Sequence, residues 1–228
     1  MKTLLICLLC LVSYPLIAQE AGAKSAPNGI SSIYNPTPIE ELSQEHGLLR
    51  RIFAIYEEMI RRMDDGQGVN SSILQNTTNI VIYFIENYHE KLEEEFIYPF
   101  FIKAHKMVDM IQTLQNQHAI GRSITASILT LAQNPNLETN IAAQQQLKTA
   151  LRSFIRLYRP HAAREDSVVF PAFKTLISAD EYEAIGQIFA QRRKELFGPD
   201  GYQKFFDQVD IIERALNISD LSKFNTLT

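Results

Sequence analysis

The sequence predicts an all-α protein, an up-down-up-down four-helix bundle with extra helices at its C-terminal end. Long segments place apolar residues near the 3.6-residue helical period. No run of residues alternates between apolar and polar in the way that a half-buried strand would. Short segments rich in Gly, Pro, Asn and Asp separate the periodic ones. Four long amphipathic helices joined by short loops are typical of such a bundle.

The first residues differ from the rest of the chain. Residues 1–18, MKTLLICLLCLVSYPLIA, combine one lysine, an apolar run and small residues, which predicts a secretory signal peptide. Residues 19–36 are small and polar and predict a flexible leader. We therefore expect an exported protein, periplasmic or secreted, without stable membrane insertion. Both cysteines, Cys7 and Cys10, lie in the predicted signal, so thiolates cannot bind a metal in the mature chain.

The first helix has a well-marked start. Thr37 suits the N-cap, Pro38 suits the first helical position, and Glu40 completes a capping box. Apolar residues then recur near the helical period to about Met63. The following segment DDGQG predicts the end of this helix.

Three more long helices complete a predicted bundle of residues 37–177: Ser71 to about Ala104, about Met107 to Ala132, and about Thr139 to Leu176. Proline removes a helical hydrogen bond, so we expect a bend near Pro99 and interruptions at Pro160 and Pro171. Two shorter helices, about Ala179–Leu196 and Tyr202–Leu216, make up a predicted C-terminal helical extension of residues 178–228.

Four of the five histidines fall in a repeated frame. His46 lies 43 residues before His89, and His118 lies 43 residues before His161. The segments HGLLR and HAIGR correspond, with arginine four residues after histidine. HEKLEEEFIYP and HAAREDSVVFP share a glutamate at four, an acid at five, an aromatic residue at nine and proline at ten. This self-similarity predicts one helical hairpin used twice.

Residues four apart share a helix face, so each of two helices presents a histidine and a glutamate together. With the histidines of the other two helices, four imidazoles and two carboxylates would meet at one level: His46, His89, Glu93, His118, His161 and Glu165. Such a set suits two metal ions about 3.5–4 Å apart, bridged by the carboxylates. Imidazole and carboxylate without thiolate favour iron, manganese or zinc.

A single His-x-x-x-Glu/Asp pair carries little weight, because a lone histidine is more often structural and acids usually line a solvated helix face. His105 and Asp109 also have this spacing. They follow Pro99 and have no counterpart in the repeat, so they are excluded from the predicted site.

The chain resembles the hemerythrin-like, or HHE cation-binding, family over about residues 40–175. The resemblance is carried by QEHGLLRRI, HEKLEEEFIYP, NQHAIGR and RPHAAREDSVVFP. It implies a four-helix bundle with a non-haem di-iron centre, in which the four histidines are terminal ligands. Glu93 and Glu165 would bridge the two iron ions, with manganese or zinc as alternative occupants.

The sequence departs from the oxygen-carrying hemerythrins at one ligand. Those proteins have a second histidine four residues after the third-helix histidine, where this chain has Arg122. They also use an aspartate five residues after the last histidine; Asp166 has that spacing, but Glu165 fits the repeat better. Water, a tyrosine or Glu90, a weaker candidate ligand, could fill the missing position. An open position favours reaction with O2 or peroxide over reversible carriage.

The sequence allows two interpretations of the arginines near the predicted site. Arg50 and Arg122 could pair with Glu94, Asp166 or other acids and so orient the ligands, or they could be ordinary surface charges.

These observations favour an exported metal-binding protein whose di-iron centre binds or senses O2 or a related small oxidant such as peroxide or NO, or binds iron itself. The alternative is a di-iron oxidase or peroxidase that acts in oxidative-stress defence. A ferritin-type centre fits less well, because it needs Glu-x-x-His on two helices and only Glu86–His89 supplies one. A metal-free helical interaction protein is the remaining possibility. The net charge of −4 and the lack of a basic block argue against nucleic-acid binding.

Overall fold

The computed structural model describes residues 36–199 and 201–224, and within them every regular element is helical, as predicted. Four helices are single segments: α1 Pro38–Asp64, α3 Val108–Ala132, α5 Ala179–Phe197 and α6 Gln203–Leu216. Two are composite: α2 runs through Ser71–Ile80, Val81–His89, Glu90–Leu92, Glu93–Ile97 and Tyr98–Lys103, and α4 through Ile141–Arg164, Glu165–Val169 and Phe170–Phe173. A 3₁₀ turn, Leu221–Phe224, follows.

The predicted signal peptide and all but residue 36 of the predicted leader lie outside the described residues. Helix α1 begins at Pro38, directly after the predicted N-cap residue Thr37. The side chain of Glu40 accepts hydrogen bonds from the backbone N–H of Thr37 at 2.9 Å and from its hydroxyl at 2.7 Å. This capping box satisfies donors that the first turn would otherwise leave unpaired.

The four long helices form the bundle in chain order. α1 packs against α2 and α4, and α3 packs against α2 and α4, so each helix lies beside its neighbours in sequence. Their apolar faces meet in one core, which includes Leu49, Tyr56, Phe84, Ile128 and Phe154. This arrangement confirms the predicted bundle and brings side chains from all four helices to its centre.

The two additional helices pack on one side of the bundle, against α1 and α2. Arg51 of α1 donates two hydrogen bonds to the carboxylate of Glu213 on α6, at 2.9 and 2.6 Å. Arg62 of α1 donates to the backbone oxygen of Leu216 at 2.6 Å. These contacts fix α6 along the outer face of α1.

The prolines interrupt the helices less than predicted. Pro160 lies inside the continuous α-helix Ile141–Arg164, so the interruption predicted there was wrong. Before Pro99 and Pro171 the chain widens into the π-helical turns Glu93–Ile97 and Glu165–Val169, and the helix then continues. A proline ring clashes with the carbonyl four residues earlier in an α-helix, and a wider turn moves that carbonyl away.

Each of these two π turns starts at a predicted bridging glutamate. The backbone N–H of Tyr98 donates to the oxygen of Glu93, and that of Phe170 to Glu165, five residues back in both cases. The two hairpins therefore share this π turn as well as the repeated sequence, whereas the π-helical segment Val81–His89 of α2 corresponds to regular α-helix in α4. No helix in the described part of the chain is long and apolar enough to cross a membrane.

Candidate metal centre

The six predicted ligands lie together at the centre of the bundle, and each is at most 3% exposed. They come from all four helices: His46, His89, Glu93, His118, His161 and Glu165. One set of possible ligand atoms, from Glu93, His118, His161 and Glu165, lies within 4.8 Å of one another. A second set within that distance joins Glu93 to His46 and His89.

The histidines meet in two pairs, one from each hairpin. In the first pair, the Nε2 atoms of His46 on α1 and His89 on α2 are 3.1 Å apart. In the second pair, the Nε2 atoms of His118 on α3 and His161 on α4 are 3.0 Å apart. The predicted 43-residue frame thus corresponds to one imidazole pair in each half of the bundle.

Glu93 divides its two oxygens between the pairs. Its Oε1 lies 3.6 Å from Nε2 of His89, and its Oε2 lies 3.5 Å from Nε2 of His118. Both oxygens are buried and have no hydrogen-bond partner among the described residues. Buried carboxylate oxygens are costly to leave unpaired, so this position calls for a cation.

Glu165 approaches both pairs through a single oxygen. Its Oε2 is 3.4 Å from Nε2 of His46 and 3.1 Å from Nε2 of His161. Its Oε1 instead accepts a hydrogen bond from the hydroxyl of Tyr98. The ring of Tyr98 stacks on His118, and Phe170, its counterpart in the repeat, stacks on His46.

Each histidine turns its Nδ1 atom toward an oxygen on a neighbouring helix. The contacts are His46 to Asp166 at 3.0 Å, His89 to Glu45 at 2.8 Å, His118 to Glu94 at 3.1 Å, and His161 to Gln117 at 2.9 Å. The ionised carboxylates of Asp166 and Glu94 only accept, so Nδ1 of His46 and Nδ1 of His118 carry a hydrogen, and all four rings turn their Nε2 atoms toward the centre.

The nitrogen and oxygen donors at the centre can be compared with the ligands that a metal ion requires. Two Nε2 atoms about 3 Å apart repel each other when both rings are neutral, so each pair needs a proton or a metal ion between its rings. Neutral imidazoles aimed by outer carboxylates, together with unpaired carboxylate oxygens, are the donors that iron, manganese or zinc takes. The donor set therefore fits two metal positions, one at each histidine pair.

Burial shifts the pKa values of the central groups. Burial raises the pKa of Glu93 well above its usual value, and the charge of Glu165 adds to the effect. Burial also opposes ionisation of Glu165, but His161 and His46 outweigh it and hold that pKa well below its usual value. Burial and the neighbouring His46 lower the pKa of His89. A bound dication would favour the carboxylate form of Glu93 and the neutral form of His89.

The two arginines occupy equivalent places behind the histidines. Arg50 pairs with Asp166, and Arg122 pairs with Glu94 at 2.5 Å. Both acids accept from a histidine Nδ1, so the predicted pairings hold these acids in place. Arg122 therefore supports the outer edge of His118 and does not replace the missing imidazole.

Glu90, the weaker candidate ligand, is buried but already engaged. Its Oε1 accepts a hydrogen bond from Tyr158 at 2.6 Å, and its Oε2 lies 2.7 Å from Arg122. Burial raises its pKa to about 8. The Tyr158 hydroxyl reaches it across α3 at Gly121, where a β-carbon would lie 1.9 Å from the hydroxyl oxygen. Its role as a ligand stays a prediction.

Sequence reasoning missed three residues that position the centre. Glu45 and Gln117 directly precede His46 and His118, and each supports the histidine of the partner helix. The sequence signal for these two residues is that a polar residue directly precedes the histidine in both repeats. Tyr98 enters the sequence prediction only as the aromatic residue nine positions after His89 in the repeat. The excluded His105 is exposed in the turn after α2.

Comparisons with known proteins agree with this geometry. The family profile of the hemerythrin HHE cation binding domain matches residues 37–173. Uncharacterized proteins of Mycobacterium bovis and of two Mycobacterium tuberculosis strains are each 37% identical over 188 residues. Those alignments cover 82% of this chain and 73% of each relative. No solved structure matches the chain significantly.

Proposed function

Because the chain belongs to the hemerythrin HHE cation-binding family, we propose that it holds two iron ions, one at each histidine pair. The terminal ligands would be the four central histidines, with Glu93 and Glu165 between the ions. The centre would bind or sense O2 or a related small oxidant, such as peroxide or NO, or would hold iron itself. Manganese and zinc are the alternative occupants.

The observation that carries this proposal is the placement of Glu93. Its two oxygens face different histidine pairs, and neither accepts a hydrogen bond from any residue that the structure describes. A carboxylate that only balanced charge in a core would gather donors around it. A carboxylate whose oxygens are divided between two histidine pairs supports a site for two cations.

The bound iron pair would supply redox chemistry and positions for a small ligand. The protein's own part is to orient the imidazole rings and to exclude water from the centre. Carboxylates on Nδ1 of His46, His89 and His118 hold those rings with Nε2 facing inward. The stacked rings of Tyr98 and Phe170 cover two of the imidazoles with apolar surface.

Metal analysis of the purified protein tests the proposal. We expect about two irons per chain, consistent with a two-metal site. Absorption bands in the near ultraviolet in air should bleach with dithionite. Replacing exposed His105 by alanine serves as the control and should leave the iron content unchanged. Less than one metal per chain after reconstitution would reject the proposal, and zinc alone would reject its iron part.

A di-iron oxidase or peroxidase is the second candidate, and the contacts of Arg122 favour it. This side chain stands where oxygen carriers have a further histidine, yet it pairs with Glu90 and Glu94. Without that strong donor, an iron ion held by the second pair would have an open position, which would suit turnover better than reversible binding. Repeated oxidation of a reductant by peroxide would support an enzyme. A single reversible spectral change with O2 would support a binding protein.

We also propose that the protein acts after export. The support is the amino-acid pattern of residues 1–18, with a lysine, an apolar run and small residues before Gln19. N-terminal sequencing of protein recovered from outside the cytoplasm should begin at or near Gln19. Recovery of the full-length chain in the cytoplasm alone would reject export.

A further inference from the structure

The two halves of the candidate metal centre share a backbone plan but differ in the groups behind the histidines. In the first pair, His46 and His89 contact the carboxylates of Asp166 and Glu45. In the second pair, His118 contacts the carboxylate of Glu94, but His161 contacts the amide oxygen of Gln117. The second pair therefore has one carboxylate fewer behind its rings.

This difference bears directly on metal affinity. A carboxylate that accepts from Nδ1 makes the imidazole a stronger donor and adds negative charge near the ion. An amide oxygen fixes the same ring orientation with only a partial charge. Such outer partners typically change metal affinity by about 10- to 100-fold. Glu45 and Gln117 occupy the same place in the repeat, directly before His46 and His118, so the comparison is closely matched.

The two halves also differ in how they are covered. α5 and α6 pack over α1 and α2, the helices of the first pair. Arg193 of α5 forms an ion pair with the buried Glu41, which also accepts a hydrogen bond from Tyr88 at 2.8 Å. The ring of Phe197 packs on Tyr88 with a centroid distance of 5.0 Å. Glu45 beneath this layer is fully buried.

The second pair lies beside a surface cavity. A cavity of about 480 Å³ between α3 and α4 is lined by Gln117 and His161, among others. The charged side chains of Asp109 and Arg164 also line it. Water or a small chelator can thus approach the outer edge of His161 and its amide partner.

From these two differences we propose that the metal positions are unequal: the first pair retains its ion, and the second pair exchanges its ion through the cavity. Gln117 is the positioning residue that sets the difference. This inference rests on the proposed function, because it requires that both positions bind metal. Metal exchange and solvent access would both occur on the α3–α4 side of the bundle.

Partial metal removal from the wild-type protein tests the proposal. The full mature chain is loaded with two zinc ions, which do not change oxidation state, and treated with EDTA. We expect two phases of release whose rates differ by about 10- to 100-fold. Crystals grown after the fast phase should show anomalous zinc scattering between His46 and His89. Scattering between His118 and His161, or release in one phase, would overturn the proposal while leaving the two-metal site intact.

Matched variants then test the role of Gln117. Gln117→Glu should slow the fast phase toward the slow one, and Glu45→Gln should accelerate the slow phase. Gln115→Glu adds the same charge at an exposed position of α3 and should change neither rate. Equal effects of the two α3 variants would reject a hydrogen-bonding role for Gln117. Failure to load two zinc ions at all would instead reject the metal centre itself.

Discussion

Tyr98 on α2 donates a hydrogen bond to Oε1 of Glu165 on α4, and this contact decides which oxygen of the carboxylate faces the histidines. The other oxygen, Oε2, lies between His46 and His161. Phe170 takes the place of Tyr98 in the other hairpin and has no hydroxyl, and within the described part of the chain both oxygens of Glu93 lack a hydrogen-bond partner. One phenolic hydroxyl thus makes the two central glutamates different.

We therefore expect Tyr98→Phe to destabilise the metal-free protein by about 1.5–3 kcal/mol, the contribution of a hydrogen bond to a charged group. The free energy of unfolding in urea, measured after metal removal, checks this value. Tyr83→Phe is the matched control, because Tyr83 is 58% exposed. A loss no larger than that of the control would show that the hydroxyl does not stabilise Glu165.

Glu93→Gln should reduce metal content at both positions, because its two oxygens serve different histidine pairs. We expect the content to fall from about two ions to fewer than one per chain. Elemental analysis with circular dichroism separates metal loss from unfolding. Glu95→Gln changes an exposed acid in the same turn and should retain full metal content. Full occupancy in Glu93→Gln would exclude the bridging role.

Metal removal should lower thermal stability, since the central carboxylates and imidazoles then remain buried without a cation. A metal present at 1,000 times its Kd stabilises the fold by about 4 kcal/mol. For a domain of this size that corresponds to roughly 8–16 °C in Tm. Differential scanning fluorimetry with and without chelator measures the shift, and added iron should reverse it. An unchanged Tm would mean that the site is not loaded.

Gly121→Ala should destabilise the bundle by about 1–3 kcal/mol through overpacking. The added β-carbon would lie 1.9 Å from the hydroxyl oxygen of Tyr158, which would have to move away from Glu90. Gly47→Ala is the control, because no atom of the described residues that could clash lies within 4 Å of its β-carbon position. That change should stabilise the helix by up to about 1 kcal/mol. Chemical denaturation of both variants decides whether the effects have opposite signs.

Arg51→Ala should loosen the C-terminal helices from the bundle, because Arg51 bonds to Glu213 and Asp210 on α6. We expect a loss of about 1–3 kcal/mol, as for charge-assisted hydrogen bonds. Faster proteolytic cleavage between α4 and α5 provides a local measurement. Arg159→Ala removes an exposed ion pair with Glu57 and should have little effect. Equal cleavage of both variants would contradict this anchoring role.

Much of the fold could be predicted from the sequence because helix signals are local. The capping residues Thr37 and Glu40 and the 3.6-residue apolar period mark where helices begin and which face is buried. The response of the helices to proline could not be read in this way. Pro160 stays within an α-helix and Pro171 follows a π turn, since packing against the other helices supports the backbone there.

Most residues of the candidate site could also be identified from the sequence, because each half of the repeat contains the same residue types at the same spacing. The sequence does not reveal which side chains contact each other across different helices. Gln117 and Glu45 look like ordinary polar helix residues until the structure places them on His161 and His89. The same holds for Tyr98, whose partner Glu165 is 67 positions away. The ligand assignments themselves remain predictions for metal analysis.

The π turns account for the nine-residue spacing between the histidine and the aromatic residue in each repeat. From His89 to Tyr98, and from His161 to Phe170, there are nine residues, about two and a half turns of an α-helix. Regular winding would thus leave each aromatic ring on the far side of its helix. The wider turns at Glu93 and Glu165 delay that rotation, so the rings reach the histidines of other helices. Each π turn therefore accommodates one extra residue, so nine residues produce about the rotation of eight in a regular α-helix, and regular winding over the same nine residues would turn the aromatic ring about 100° away from its histidine.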